Sequence, residues 1–209
     1  MRKQAPNHIV ALLMQPENVG PSCEIYNAFR DVLEWTAKIR LFKEVFDQCR
    51  KRLKDYSNWE VELDADDDRE LLEQEWLSIY VKPRPRPHRD YWHFELDMNA
   101  TNLPFKLLHG VAYSSGKGSR PQSMSQKLCA EVKRIEGQFR AHKLKGATGN
   151  WLSITYRPYE RYTLGNDPRV MTRLCKGALA NQITAEYVQF FKDWSGRVTD
   201  LNSLLKHQA

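Results

Sequence analysis

Tyr91-Trp92-His93-Phe94-Glu95-Leu96-Asp97 alternates without a fault: Trp92, Phe94 and Leu96 share one side of an extended chain, and Tyr91, His93, Glu95 and Asp97 share the other. Successive side chains of a strand point to opposite faces, so this stretch describes a strand with one face turned to a core. Trp59-Glu60-Val61-Glu62-Leu63-Asp64 follows the same period with acidic residues on its outer side. Apolar stretches bounded by turn residues give three more strands, at Trp76 to Lys82, Leu107 to Tyr113 and Trp151 to Tyr156.

Working outward, the period changes from two to three-and-four. Ser22 is placed to cap a helix, and Ile25, Phe29, Val32, Ile39, Phe42, Phe46, Cys49, Leu53 and Tyr56 form one apolar stripe along it. The spacing predicts a helix over 22–57. Ser123 with Gln126 three residues on is a capping-box pattern, and Leu128, Val132, Ile135 and Phe139 then recur at helical spacing. Gly146 to Gly149 reads as a break before the fifth strand. Asp167 and Pro168 open a further helix that runs to Trp194 and is closed by Gly196, leaving an amphipathic tail at Val198 to Leu205.

These elements add up to an α+β fold: one largely antiparallel sheet of about five strands, with the long N-terminal helix and C-terminal helices packed on it. No linker divides the chain, so residues 1–209 read as a single domain. It comprises an N-terminal segment (1–21), the long helix (22–57), a four-stranded region (59–113), a helix-strand-helix unit (123–194) and a tail (197–209).

Composition agrees with a folded domain. The chain of 209 residues is 41% hydrophobic and 11% aromatic, enough to build a core. Its longest apolar run, Ile9 to Met14, is far short of the roughly 20 residues of a membrane span. No membrane partner is expected, and the expected compartment is the cytoplasm. Cys23, Cys49, Cys129 and Cys175 are widely spaced with no Cys-x-x-Cys pair, which reads as four free thiols, mostly buried, and lends no support to a zinc site.

The net charge of +6 is unevenly laid out. Residues 59–81 hold one basic residue against nine acidic ones, a net of −8, whereas residues 82–209 hold 21 against ten, a net of +11. A short acidic segment set into a basic protein points to a polyanion as partner for the basic part.

Motifs for the common enzyme classes are missing. There is no Gly-x-Ser-x-Gly elbow, and Gly116-Lys117-Gly118-Ser119 lacks the first Gly of a phosphate-binding loop. Asp64-x-Asp66-x-Asp68 with Glu75 has several ligand positions of a calcium-binding EF-hand loop, but Arg69 stands where that loop needs Gly. The candidates for catalysis are His93, Glu95 and Asp97, which share one strand face and could activate water through Mg²⁺ or Mn²⁺. The order helix–strands–helix–strand is similar to that of the restriction-nuclease-like core, in which a carboxylate-x-Lys pair sits on a strand. Here the pair is Glu95-x-Asp97 and no Lys follows, so ordinary solvated carboxylates, no metal, no cofactor and a non-catalytic role are the expectation.

Lys82-Pro83-Arg84-Pro85-Arg86-Pro87-His88-Arg89 is the strongest polar feature. Alternating Pro stiffens the backbone and removes N–H donors, so the Arg side chains project with less entropy to lose on binding. Pro83-Arg84-Pro85-Arg86-Pro87 resembles the Pro-Arg-Gly-Arg-Pro core of the AT-hook minor-groove motif with its central Gly replaced, which implies phosphate contact without base readout. Lys117, Arg120, Arg157 and Arg161 extend the basic set, the last two interleaved with Tyr156, Tyr159 and Tyr162 as suits stacking and phosphate contact. The leading expectation is therefore a non-catalytic protein that engages DNA or RNA through phosphates, with Lys82, Arg84, Arg86, Arg89, Lys117, Arg120, Arg157 and Arg161 as contacts. The alternatives are a protein-binding or inhibitory module using the acidic segment 59–75 and the Tyr/Arg segment 156–162, and a metal-dependent nuclease built on Glu95 and Asp97. The long N-terminal helix offers a seam for a homodimer.

Overall fold

The alternating stretches pair into one sheet in the computed structural model, which describes residues 12, 15–18, 20–21, 23–24, 39–65, 74, 76–85, 90–99, 106–114, 124–141, 145–148, 151–157 and 176–206. Chain order is α1 (Leu41–Arg52), β1 (Trp59–Leu63), β2 (Trp76–Pro83), β3 (Tyr91–Asn99), β4 (Lys106–Ser114), α2 (Gln126–Ala141), β5 (Lys145–Thr148), β6 (Trp151–Arg157) and α3 (Ala178–Lys206). The sheet has six strands in the order β1-β2-β3-β4-β6-β5, and every neighbouring pair is antiparallel. The fold is α+β, with one strand more than the expected five. No helix among the described residues is long and apolar enough to cross a membrane.

Register follows the apolar period. Val61 opposes Val81, Val81 opposes Phe94, and Phe94 opposes Val111, so apolar side chains from four strands stand in one row. A slip by one residue would turn every one of them outward. The three helices close over this face. Phe42, Val45 and Cys49 of α1, Leu128, Val132, Ile135 and Phe139 of α2, and Tyr187, Phe191, Trp194, Val198 and Leu201 of α3 join Ile79, Trp92, Phe94 and Leu96 in one buried cluster. Aromatic edges lock it: Phe191 stands 4.9 Å from Phe94 and 5.4 Å from Trp59, and Phe139 stands 4.0 Å from Trp194. Each fully buried side chain of this size contributes about 1.5–3 kcal/mol.

Four boundaries differ from the sequence reading. The helix expected over 22–57 ends at Arg52, where Leu53 closes the last turn and Tyr56 N–H donates to the Leu53 carbonyl; most of its N-terminal half lies outside the described residues. The helix after β4 is capped by Ser125 rather than Ser123, since the Ser125 hydroxyl accepts from Leu128 N–H at 3.2 Å. Lys145–Thr148, overlapping the break read at Gly146 to Gly149, forms β5, which among the described residues pairs only with β6 and so is held by its partner rather than by its own β propensity. Finally, Gly196 does not close a helix. α3 runs through it to Lys206 because Val198 and Leu201 continue the buried stripe, and their burial outweighs the roughly 1 kcal/mol that a helical Gly costs. The expected helix start at Asp167 lies outside the described residues.

A polar contact at Asn202 helps fasten α3 to the sheet. Asn202 donates from Nδ2 to the Trp92 carbonyl at 2.9 Å and accepts from Trp92 N–H on Oδ1 at 2.7 Å. The β2–β3 pairing stops at Val81 and Phe94, and two residues on Pro83 has no N–H to offer, so a side-chain amide serves Trp92 instead.

Candidate functional site

The alternation that sends Trp92, Phe94 and Leu96 under the helices sends His93, Glu95 and Asp97 to the opposite face. There β2 adds Ser78, directly opposite Asp97, and Tyr80, directly opposite Glu95; β1 adds Glu62 opposite Tyr80. From the other side β4 brings Leu108, Gly110 and Ala112 opposite Asp97, Glu95 and His93. A glycine at 110 is required by the close approach of β6, since a Cβ there would collide with the Ser153 carbonyl.

The expectation of a solvated strand face is overturned. His93 is 5% exposed, Ser78 6% and Asp97 8%, and the Glu95 side chain 15%. Alternation reports which residues share a face; it carries no information on whether that face meets water.

Burial sets the electrostatics. Asp97 is pushed up to about 8 by desolvation first and by the neighbouring Glu95 charge second. Glu95 is also raised, chiefly by burial. Ser78 and Glu95 both lie within hydrogen-bonding reach of the Asp97 carboxyl. His93 Nε2 stands 3.3 Å from Glu95 Oε2, but burial and then the Lys82 ammonium push the imidazole down to about 4, so the ring meets Glu95 in its neutral form. Among the buried side-chain atoms, Asp97 Oδ1 and His93 Nδ1 have no hydrogen-bond partner.

The flanks of the cluster are tied down. Lys82 Nζ stands 2.7 Å from Glu62 Oε2 and 4.4 Å above the centre of the Tyr80 ring. The Tyr80 hydroxyl donates to Asp64 Oδ2 at 3.0 Å, and its ring meets the His93 ring edge-on at 5.5 Å. Ser78, Tyr80, Glu62 and Asp64 thus belong to the same polar cluster as the three residues picked out by sequence. Their signal was present in the period-two pattern of β1 and β2, but only the register brings the three strands together. Among the described residues, no group of three or more His, Cys, Asp or Glu side chains is set to hold a metal ion.

The basic candidates divide. Lys82 is turned into the polar face and held by Glu62, while Arg84 is exposed and gives its backbone N–H to the Asn58 carbonyl at 2.7 Å. Arg157 ends β6 beside the start of β4. Arg86, Arg89, Lys117, Arg120 and Arg161 lie outside the described residues. Cys23, Cys49 and Cys129 are free thiols, of which Cys49 is buried, Cys129 half-buried and Cys23 exposed, against the expectation of mostly buried thiols; Cys175 lies outside the described residues. Compared with family models, curated proteins and solved structures, the chain matches none.

Proposed function

We propose that the protein binds nucleic acid through phosphate contacts made at one end of its sheet. The observation that carries this reading is the β3–β4 register. Tyr91 opposes Ser114, so the end of β2, the start of β3 and the end of β4 lie at the same end of the sheet. The connection over 84–90 contains Arg84, Arg86 and Arg89 against one acid, Asp90; the connection over 115–125 contains Lys117 and Arg120 and no acid. Two basic connections therefore leave from neighbouring strands, and Lys127, Lys133 and Arg134 are exposed on α2, which follows the second. Arg157 pairs with Leu107 at the opposite end, so Arg157 falls outside this patch.

The test is the salt dependence of binding to a duplex DNA of mixed sequence, in buffer without divalent ions. Each phosphate neutralised adds about 0.9 to the slope of log affinity against log salt. Replacing Arg84, Arg86 and Arg89 with Ala is expected to lower the slope by up to about 2–3, and replacing Lys117 and Arg120 by up to about 2, alike for all sequences. Arg157→Ala is expected to leave it unchanged. A parent chain that does not bind, or a triple variant that binds as tightly as the parent, sinks the proposal. A second reading, docking of a basic protein on the acidic segment 59–75, has one observation in its favour: β1, which carries Glu60 and Glu62, is an outer strand of the sheet.

A further inference from the structure

We propose that Glu95 and Asp97, with the Ser78 hydroxyl, form a binding site for a hard divalent cation of the Mg²⁺ or Ca²⁺ kind on the sheet face turned away from the helices. Register supplies the geometry. Ser78 directly opposes Asp97 across the β2–β3 pair, and Glu95 is two residues back on the same face, so three oxygen-bearing side chains converge. Both neighbours lie within hydrogen-bonding reach of the Asp97 carboxyl.

A second observation stands apart from this grouping. Asp97 is 8% exposed, yet its Oδ1 meets no hydrogen-bond partner. A carboxylate oxygen withdrawn from water is costly unless a donor or a positive charge faces it, and such atoms in native proteins call for an explanation. No donor meets this oxygen, although the Ser78 hydroxyl reaches the same carboxyl. The Lys82 ammonium is held by Glu62, neutral His93 turns Nε2 to Glu95, and β4 brings Lys106, Leu108, Gly110, Ala112 and Ser114 to this face without any of them bonding that oxygen. No ammonium or guanidinium among the described residues is paired with either carboxyl. Two carboxyls in contact cannot both ionise unrelieved: they share a proton, or a bound cation takes its place.

The donor set decides the class of ion. Carboxylate and hydroxyl oxygens suit hard cations, whereas zinc and copper sites draw on imidazole and thiolate. Mg²⁺ is usually held by one or two carboxylates and keeps several waters, so the site needs no third His, Cys, Asp or Glu ligand, and among the described residues no such group of three is set to hold a metal.

The experiment is calorimetric titration of the full chain, freed of metal by chelator, with MgCl₂ and CaCl₂ at constant ionic strength, and with MnCl₂ followed by loss of the free-ion EPR signal. One saturable ion per chain is expected, with Kd at or below about 1 mM. Asp97→Asn and Glu95→Gln are each expected to weaken binding by tenfold or more while keeping the parent's far-UV circular dichroism. No saturable binding by the parent in this range, or parent-like binding by a folded Asp97→Asn, overturns the proposal. Should both variants fail to fold, Ser78→Ala decides, since it leaves the carboxyls in place: weakening of about tenfold supports the site and unchanged affinity overturns it. No nucleic acid enters this titration and no divalent ion enters the salt series, so the two proposals stand or fall separately.

Discussion

Asn202 shows how much one side chain can carry without any mark in the sequence. It sits where an amphipathic tail was read, yet its amide closes both backbone groups of Trp92, 110 residues earlier. Asn202→Leu is expected to leave that N–H and C=O buried and unpaired, at about 1–3 kcal/mol for each group, which urea unfolding measures; a stability equal to the parent's would count against the assignment. The cysteines give a second prediction at this scale. Burial pushes the Cys49 thiol up to about 12, well above the ordinary value of 9.0, whereas Cys23 is exposed. The thiolate is the reactive form, and in the folded chain Cys49 stays protonated until the pH approaches 12. Iodoacetamide at pH 8 is therefore expected to label Cys23 and spare Cys49 in peptide mapping, with Cys49 reacting only after unfolding. Native-state labelling of Cys49 at the rate of Cys23 would contradict its burial. Wide cysteine spacing was legible beforehand; which thiol the core covers was not, because α1 alone cannot reveal that α3 lies over Cys49.

At the scale of elements, two glycines of opposite meaning test the fold. Gly196 lies inside α3 with open space where a Cβ would go, so Gly196→Ala removes backbone freedom from the unfolded chain at no steric cost. It is expected to stabilise the protein by about 0.5–1 kcal/mol. Gly110 has the Ser153 carbonyl against it, so Gly110→Ala forces β4 and β6 apart and is expected to destabilise by at least about 1–3 kcal/mol. Paired thermal melts check both, and equal signs would refute the contrast. Sequence reading treated Gly196 as a stop because glycine commonly follows a helix, and only the burial of Val198 and Leu201 beyond it overrules that signal. β1 to β4, β6 and the buried face of α2 were legible because their apolar residues recur at the period of their own element. β5, with Lys145-Gly146-Ala147-Thr148, has no such period and exists through pairing with β6.

At the scale of the molecule, the sequence displayed the uneven charge but not its geography. Antiparallel pairing brings the end of β2, the start of β3 and the end of β4 to one end of the sheet and sends Arg157 to the other, an arrangement that linear spacing cannot express. The polar face was legible as a set of residues, His93, Glu95 and Asp97, and illegible as an environment, since burial depends on what covers the sheet. Layering also orders assembly in time. α3 is the last of the described elements to leave the ribosome, yet Tyr187, Phe191, Trp194, Val198 and Leu201 supply one wall of the cluster around Trp92 and Phe94. While the chain is being made, the strands are finished before α3, so a nascent chain stalled before residue 187 holds an apolar sheet face that lacks one of its three covering helices, the kind of surface that chaperones capture and that aggregates when they do not.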